Sequence, residues 1–159
     1  MDTIRELIIK DFLARATVIR TSSPAEYNTD IGQAVHRAKK ELIPDTSPAE
    51  VPGCNIWPQP ETAEKKYGHR VCSMQIHIEG TDFYEDENPS VVSELILGDL
   101  KEAFLSTSWS RSPDYIDEIT YLGGGTDSYP DEENKITGSK IAVEIKYQEA
   151  IGNPYSQGG

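Results

Sequence analysis

Two segments that alternate apolar and polar residues with a period of two set the frame for this chain. Over residues 71–78, Cys72, Met74, Ile76 and Ile78 point one way while Val71, Ser73, Gln75 and His77 point the other. Residues 140–147 repeat the pattern, with Ile141, Val143, Ile145 and Tyr147 set against Lys140, Ala142, Glu144 and Lys146. Successive strand side chains face opposite sides of a sheet, so each segment predicts a strand with one apolar face. A sheet of such strands needs a cover on one side only, which is the habit of antiparallel sheets.

Two predicted helices supply the cover. Thr3 and Glu6 have the T-x-x-E spacing in which hydroxyl and carboxylate satisfy each other's free backbone N–H groups. Ile4, Leu7, Ile8, Phe12 and Ile19 fall on one stripe with Ala16 between, away from Arg5, Asp11 and Arg15, which predicts a helix to about Arg20, before Pro24. Asn88 as cap and Pro89 in the first helical position open a second helix, ending near Leu105. Its apolar face is Val92, Leu95, Ile96, Leu100, Ala103 and Phe104.

Weaker signals complete the order. Ile31 and Val35 are in step for a strand over 29–37, against a helical turn over 33–42 as the competing reading. Further strands are expected near 54–61 and over 115–122. Pro44, Pro48, Pro52, Pro58 and Pro60 punctuate what reads as a long irregular segment over 44–60. Residues 123–138, rich in glycine and acid, are expected to form a long loop, mobile in the free subunit and ordered on assembly, with Tyr129 and Ile136 as its anchors. The predicted class is α+β: a mainly antiparallel sheet of four to five strands with two helices packed on one face. Ile4, Ile8, Phe12, Leu95, Leu100 and Phe104 should meet Met74, Ile76, Val143 and Ile145. One domain is expected over 1–148, followed by a tail over 149–159.

The core must be modest. Ile, Leu, Val and Phe number 34 of 159 residues, about 21%, close to the roughly 20% below which strongly charged chains tend toward disorder. Long loops, or stability borrowed from neighbouring subunits, are the expected remedy. No apolar run is long enough to cross a membrane as a helix, and the first residues lack a signal-peptide pattern, so a cytosol-like compartment with Cys54 and Cys72 as free thiols is expected. The formal net charge is −12, but residues 79–133 alone hold 15 acidic and 2 basic side chains. Such a block repels phosphate and argues against gripping nucleic acid by counterion release.

No catalytic constellation emerges. His36, His69 and His77 lack metal-ligand spacing, there is no G-x-S-x-G, and neither cysteine has neighbours that would activate a thiol. Gly123, Gly124 and Gly125 lack the lysine and following helix of a phosphate loop. Asp82, Glu85, Asp86 and Glu87 lack the spacing of a calcium loop. The chain therefore reads as a non-enzymatic subunit without metal or cofactor, completed by assembly, with a small acidic metal-dependent hydrolase as the rival of another class.

The strings Gln75-Ile76-His77-Ile78-Glu79, the helix from Ser93-Glu94-Leu95 to Phe104, the glycine and tyrosine loop rich in acids at 125–133, and the closing strand at 142–147 occur in an order that resembles the tail terminator family of tailed bacteriophages (lambda minor tail protein U-like). The resemblance spans residues 3–148. It implies a virion subunit, assembled in the bacterial host cytoplasm, that closes as a hexameric ring on the tail tube, stops tube polymerisation and joins the head-side connector or neck protein. A contractile tail would add a sheath contact. DNA would pass through the channel without sequence-specific binding, and no membrane is involved. Assembly contacts are expected from Gly123, Gly124, Gly125, Asp127, Tyr129, Asp131, Glu132, Glu133 and Tyr155, and channel-lining acids from Asp82, Glu85, Asp86 and Glu87. Six copies would gather about −72 formal charges, which keeps a passing genome mobile but opposes assembly by self-repulsion. The proline-rich stretch over 44–60 and the tail over 152–159 depart from the family pattern and leave the tail morphology open. A head-completion or neck adaptor is the rival reading within the virion.

Overall fold

The computed structural model describes residues 1–22, 27–38, 50–106, 109, 115–126 and 130–157. Helix α1 (Ile4–Ala16) leads through a short 3-10 turn (Ile31–Gln33) to β1 (Val35–Arg37), β2 (Gly53–Lys66) and β3 (His69–Phe83), followed by α2 (Pro89–Leu105), β4 (Ile116–Thr126) and β5 (Ile136–Ala150). The five strands form one sheet in the order β1-β2-β3-β5-β4. The fold is α+β, as expected. The sheet is mixed, because β1 runs parallel to β2 while the β2–β3, β3–β5 and β5–β4 pairings are antiparallel.

Each helix starts where the sequence signals it. Thr3 Oγ1 accepts the Glu6 N–H at 3.0 Å. The Glu6 carboxylate does not return to Thr3, however, and instead binds both terminal nitrogens of Arg37 at 2.6 and 2.7 Å, fastening α1 to β1. The helix stops at Ala16, short of Arg20, and the Thr17 hydroxyl donates to the Ala14 carbonyl at 2.6 Å. Ile19 stays buried because its carbonyl accepts from Gly32 at 3.0 Å, bending the chain back over the core. Ile9 is buried and Leu7 only half-buried, a rotation of the predicted stripe. In α2, Asn88 Oδ1 accepts the Ser90 N–H at 2.8 Å and Pro89 occupies the first position. Leu95, predicted inward, is 40% exposed, and Ser93 and Asp99 take buried places on the helix.

The inward rows of the sheet are those read from the alternation. Cys72, Met74, Ile76 and Ile78 of β3, and Ile141, Val143, Ile145 and Tyr147 of β5, are buried in one core with Ile4, Ile8, Phe12, Ile96, Leu100 and Phe104. Gly80 continues the β3 row without a side chain. A Cβ there would lie 2.7 Å from Ile31 Cδ1 and 2.8 Å from Ile96 Cγ2, so only glycine lets the 3-10 turn and α2 close on this strand. The two helices meet where Phe12 and Phe104 stack at 5.4 Å between centroids, with Trp109 edge-on to both. Arg15 Nε adds a bond to the Ala103 carbonyl at 2.7 Å near the end of α2, where a cation complements the helix dipole. Cys54 and Cys72 are buried free thiols.

Three sequence expectations are corrected. The segment 44–60 is not irregular throughout, since residues from Gly53 onward belong to β2; Pro58 and Pro60 fit because β1 pairs only as far as Ile56 and the register shifts between Pro58 and Glu61. Residues 44–49 lie outside the described residues. The segment 123–138 is not one loop, because its first residues extend β4 and its last begin β5. Between them the Asp131 carboxylate accepts the Glu133 N–H at 3.0 Å, the Asn134 N–H at 3.2 Å and Asn134 Nδ2 at 3.0 Å, building a tight turn. The strand expected over 29–37 is divided into the 3-10 turn and β1, and residues 35–37 do not form the competing helical turn.

Candidate functional site

The two acidic groups singled out in the sequence converge. Phe83 at the end of β3 pairs with Ile136 at the start of β5, so the turns beyond both strands are neighbours. The Tyr84 N–H donates to the Lys135 carbonyl at 2.9 Å, and Lys135 Nζ stands 5.6 Å from the centre of the Tyr84 ring. Asp82, Glu85, Asp86 and Glu87 therefore share one end of the sheet with Asp131, Glu132 and Glu133. Glu85, Asp86, Glu87, Glu132 and Glu133 are exposed, whereas Asp82 is partly buried. Burial pushes the Asp82 carboxyl above its ordinary range, opposed by the Phe83 N–H that it accepts at 2.7 Å. Hydrogen bonds from Asn134 and the loop backbone hold Asp131 low. The result is a fixed patch of negative charge, suited to repelling phosphate and to receiving cationic side chains. Asp127 and Tyr129 lie outside the described residues.

The three glycines belong to a different feature, the edge strand β4. Gly124 approaches β5 so closely that a Cβ would lie 2.7 Å from the Lys140 carbonyl oxygen. Gly123, Gly124, Gly125 and Thr126 line a shallow groove of about 310 Å³ with His77, Lys140, Ile141 and Ala142. His77 faces away from the core as predicted, and burial and the nearby Lys140 lower its pKa. Among the described residues the groove brings together the His77 imidazole, the Lys140 side chain and the Thr126 hydroxyl. The N-terminus of α2 is fastened beside it: Ser93 Oγ lies 2.9 Å from Thr126 Oγ1 and 2.8 Å from Ser139 Oγ, whose hydroxyl also donates to the Ser93 carbonyl at 2.7 Å. Tyr155 is exposed but lies at the other end of the sheet, in the tail after β5, where Pro154 accepts the Ile4 N–H at 2.9 Å.

That second end holds what the sequence reading missed. The β2–β3 hairpin carries Lys65, Lys66, His69 and Arg70 around a fully exposed Tyr67. Below the tip, Glu61, Cys72 and Glu149 place ligand-type atoms within 4.8 Å of one another. The carboxylates are already engaged: the Tyr147 hydroxyl donates to Glu61, and Arg70 Nη1 lies 3.5 Å from Glu149 Oε1. Burial, with Glu149 and Glu61 beside it, pushes the Cys72 thiol up to about 11. The thiol is thus held protonated at neutral pH, and the Tyr147–Glu61 and Arg70–Glu149 contacts tie the strand ends together. The partners come from positions 61, 72, 147 and 149, and no local motif announces them. No protein-family model matches this sequence, and no curated protein is detectably similar to it.

Proposed function

We propose that this chain is a structural virion protein that closes as a ring on the end of a phage tail tube, ends tube polymerisation and offers a joining surface to the head-side neck protein. The observation that carries the reading is the polarity of the subunit. One sheet, covered on one side by both helices, has an acid-rich end at the Glu85–Glu87 and Asp131–Glu133 turns and a cation-bearing hairpin at the other. In a ring, an acidic rim beside the channel repels DNA phosphates, and the opposite end is free to meet a protein surface. The role needs neither cofactor nor catalytic group, and it places the protein in the virion after assembly in the host cytoplasm.

The test is tube capping. Purified protein is added to polymerising tube subunits from the same phage, and tube length is measured by electron microscopy. Shortened tubes ending in a ring are expected. Tubes of unchanged length, with the protein bound to the connector instead, replace this reading with that of a neck adaptor.

A further inference from the structure

The strand register gathers metal-ligating side chains around one sulfur. Cys72 on the middle strand β3 lies opposite Ala63 of β2 and Tyr147 of β5. Glu61 stands two positions from Ala63, and Glu149 two positions from Tyr147, so each glutamate is a diagonal neighbour of Cys72 on the helix-covered face, one on either side. Diagonal neighbours are within reach of long side chains. Here the Cys72 sulfur and one oxygen from each carboxylate lie within 4.8 Å of one another.

We propose that Glu61, Cys72 and Glu149 bind one divalent cation of the zinc class, which staples β2, β3 and β5 together at the end of the sheet opposite the acidic turns. The site goes beyond the tail reading and does not rest on it.

Two observations besides the clustering point to a ligand. Cys72 is fully buried, and among the described residues no hydrogen bond reaches its sulfur. Glu149 is only 8% exposed, yet Arg70 Nη1 stands 3.5 Å from its Oε1, beyond the roughly 2.7–2.9 Å of a charge-assisted bond. A carboxylate buried with so distant a partner is under-compensated, and a dication between it and the thiol supplies the missing charge. The contacts already made leave ligand atoms over. Tyr147 donates to Glu61 Oε2 and Arg70 reaches Glu149 Oε1, so Glu61 Oε1 and Glu149 Oε2 carry no hydrogen bond among the described residues. Hydrogen bonds of this kind orient ligating carboxylates in metal sites. The donor set selects the metal: Zn²⁺ binds thiolate at about 2.3 Å and carboxylate at about 2.0–2.2 Å in a tetrahedron, whereas Ca²⁺ and Mg²⁺ take oxygen. Water fills the fourth position. On binding, an S–Zn bond replaces the Cys72 S–H bond, the proton passes to solvent and no electron is transferred. Because a proton leaves as the dication enters, the cluster gains one unit of charge, which the two glutamates absorb beside Arg70.

The test strips the full chain of metal with a chelator and titrates it with Co²⁺ alone. One equivalent should bind with a thiolate-to-cobalt charge-transfer band in the near ultraviolet, and Zn²⁺ should bleach that band. Cys72→Ser should abolish it, whereas Cys54→Ser, at the other buried thiol, should keep it. Glu61 is exposed, and Glu61→Gln retains an oxygen to accept from Tyr147, so this variant spares the fold. It should weaken Co²⁺ binding by about tenfold or more, with an unchanged circular dichroism spectrum; a role confined to tying strands together predicts no change in Co²⁺ affinity. Absence of the band in the parent chain, a band that survives Cys72→Ser, or unaltered affinity in Glu61→Gln overturns the inference.

Discussion

The β2 side and the β4 side of the sheet are secured by different helices and different chemistry. Helix α1 holds the β2 side through charged groups, with Arg37 on Glu6 and Arg5 on the Gln59 carbonyl. Helix α2 holds the β4 side through neutral hydroxyls, Ser93 with Thr126 and Ser139, and through Lys101, whose Nζ stands 5.2 Å from the centre of the Tyr121 ring. The β2 edge carries prolines and lysines, the β4 edge glycines and acids. The two sides of one sheet thus differ both in what holds them and in the residues they present.

That comparison can be broken most severely where the helices converge. Phe104→Ala removes a ring stacked on Phe12 and set against Trp109, and it should cost about 3–5 kcal/mol in urea unfolding, weakening both sides together. A loss below about 1 kcal/mol means that the helices do not share this contact. Ser93→Ala should act on the β4 side alone. It removes the partner of two hydroxyls, Thr126 and the buried Ser139, and should cost about 1–3 kcal/mol. Hydrogen exchange should quicken in β4 and remain slow in the β2 residues that pair with β1; equal acceleration in both contradicts the division of labour.

Thr3→Ala is the counterpart on the β2 side. Loss of the cap to the Glu6 N–H should cost about 1 kcal/mol and fray the first turn of α1. The smallest effect concerns pH. The Arg37 guanidinium holds the Glu6 carboxyl below its ordinary value of 4.5. A depressed folded pKa contributes stability that is complete above the unfolded value and is lost as pH falls through the folded one. Stability should therefore decline below pH 4.5 partly through this pair, and Arg37→Ala should flatten that portion of the curve. Because the Arg37 side chain is 43% exposed, solvent screening keeps the contribution under about 1 kcal/mol. An unchanged acid limb in the variant removes the ion pair from the account of how α1 holds its edge.

The core was legible because its signal is local. Cys72, Met74, Ile76 and Ile78 alternate within one segment, Asn88-Pro89 marks its own helix, and each reads without knowledge of the partner. Strand ends were not legible, because the pattern there is broken by groups that are satisfied at long range. Ser139 is buried through a bond to Ser93, and Glu149 through Arg70. The parallel β1 is only three residues long and depends on Arg37 reaching Glu6, which no periodicity encodes. Leu95 looks inward on a helical wheel, yet Asp99 is buried on the same helix because it accepts the Thr29 N–H and hydroxyl at 2.8 and 2.6 Å. Of the candidate site, the acidic residues were visible one by one. Their meeting was not, because it depends on the pairing of Phe83 with Ile136.

The place of β5 in the sheet bears on how the protein is made. It is the last of the strands in sequence, yet it lies between β3 and β4, pairing with β3 over its whole length and with β4 over residues 139–147. Until it leaves the ribosome, β4 lacks the strand it pairs with and β3 is paired on the β2 side only. The nascent chain can form the β2–β3 hairpin and the helices early, but its sheet closes only through contacts between distant positions, such as His69 with Ala150. Long-range closure of this kind is slow and exposes apolar surface while it waits. Synthesis thus delays the completion of β4, whose side of the sheet is the last to be built.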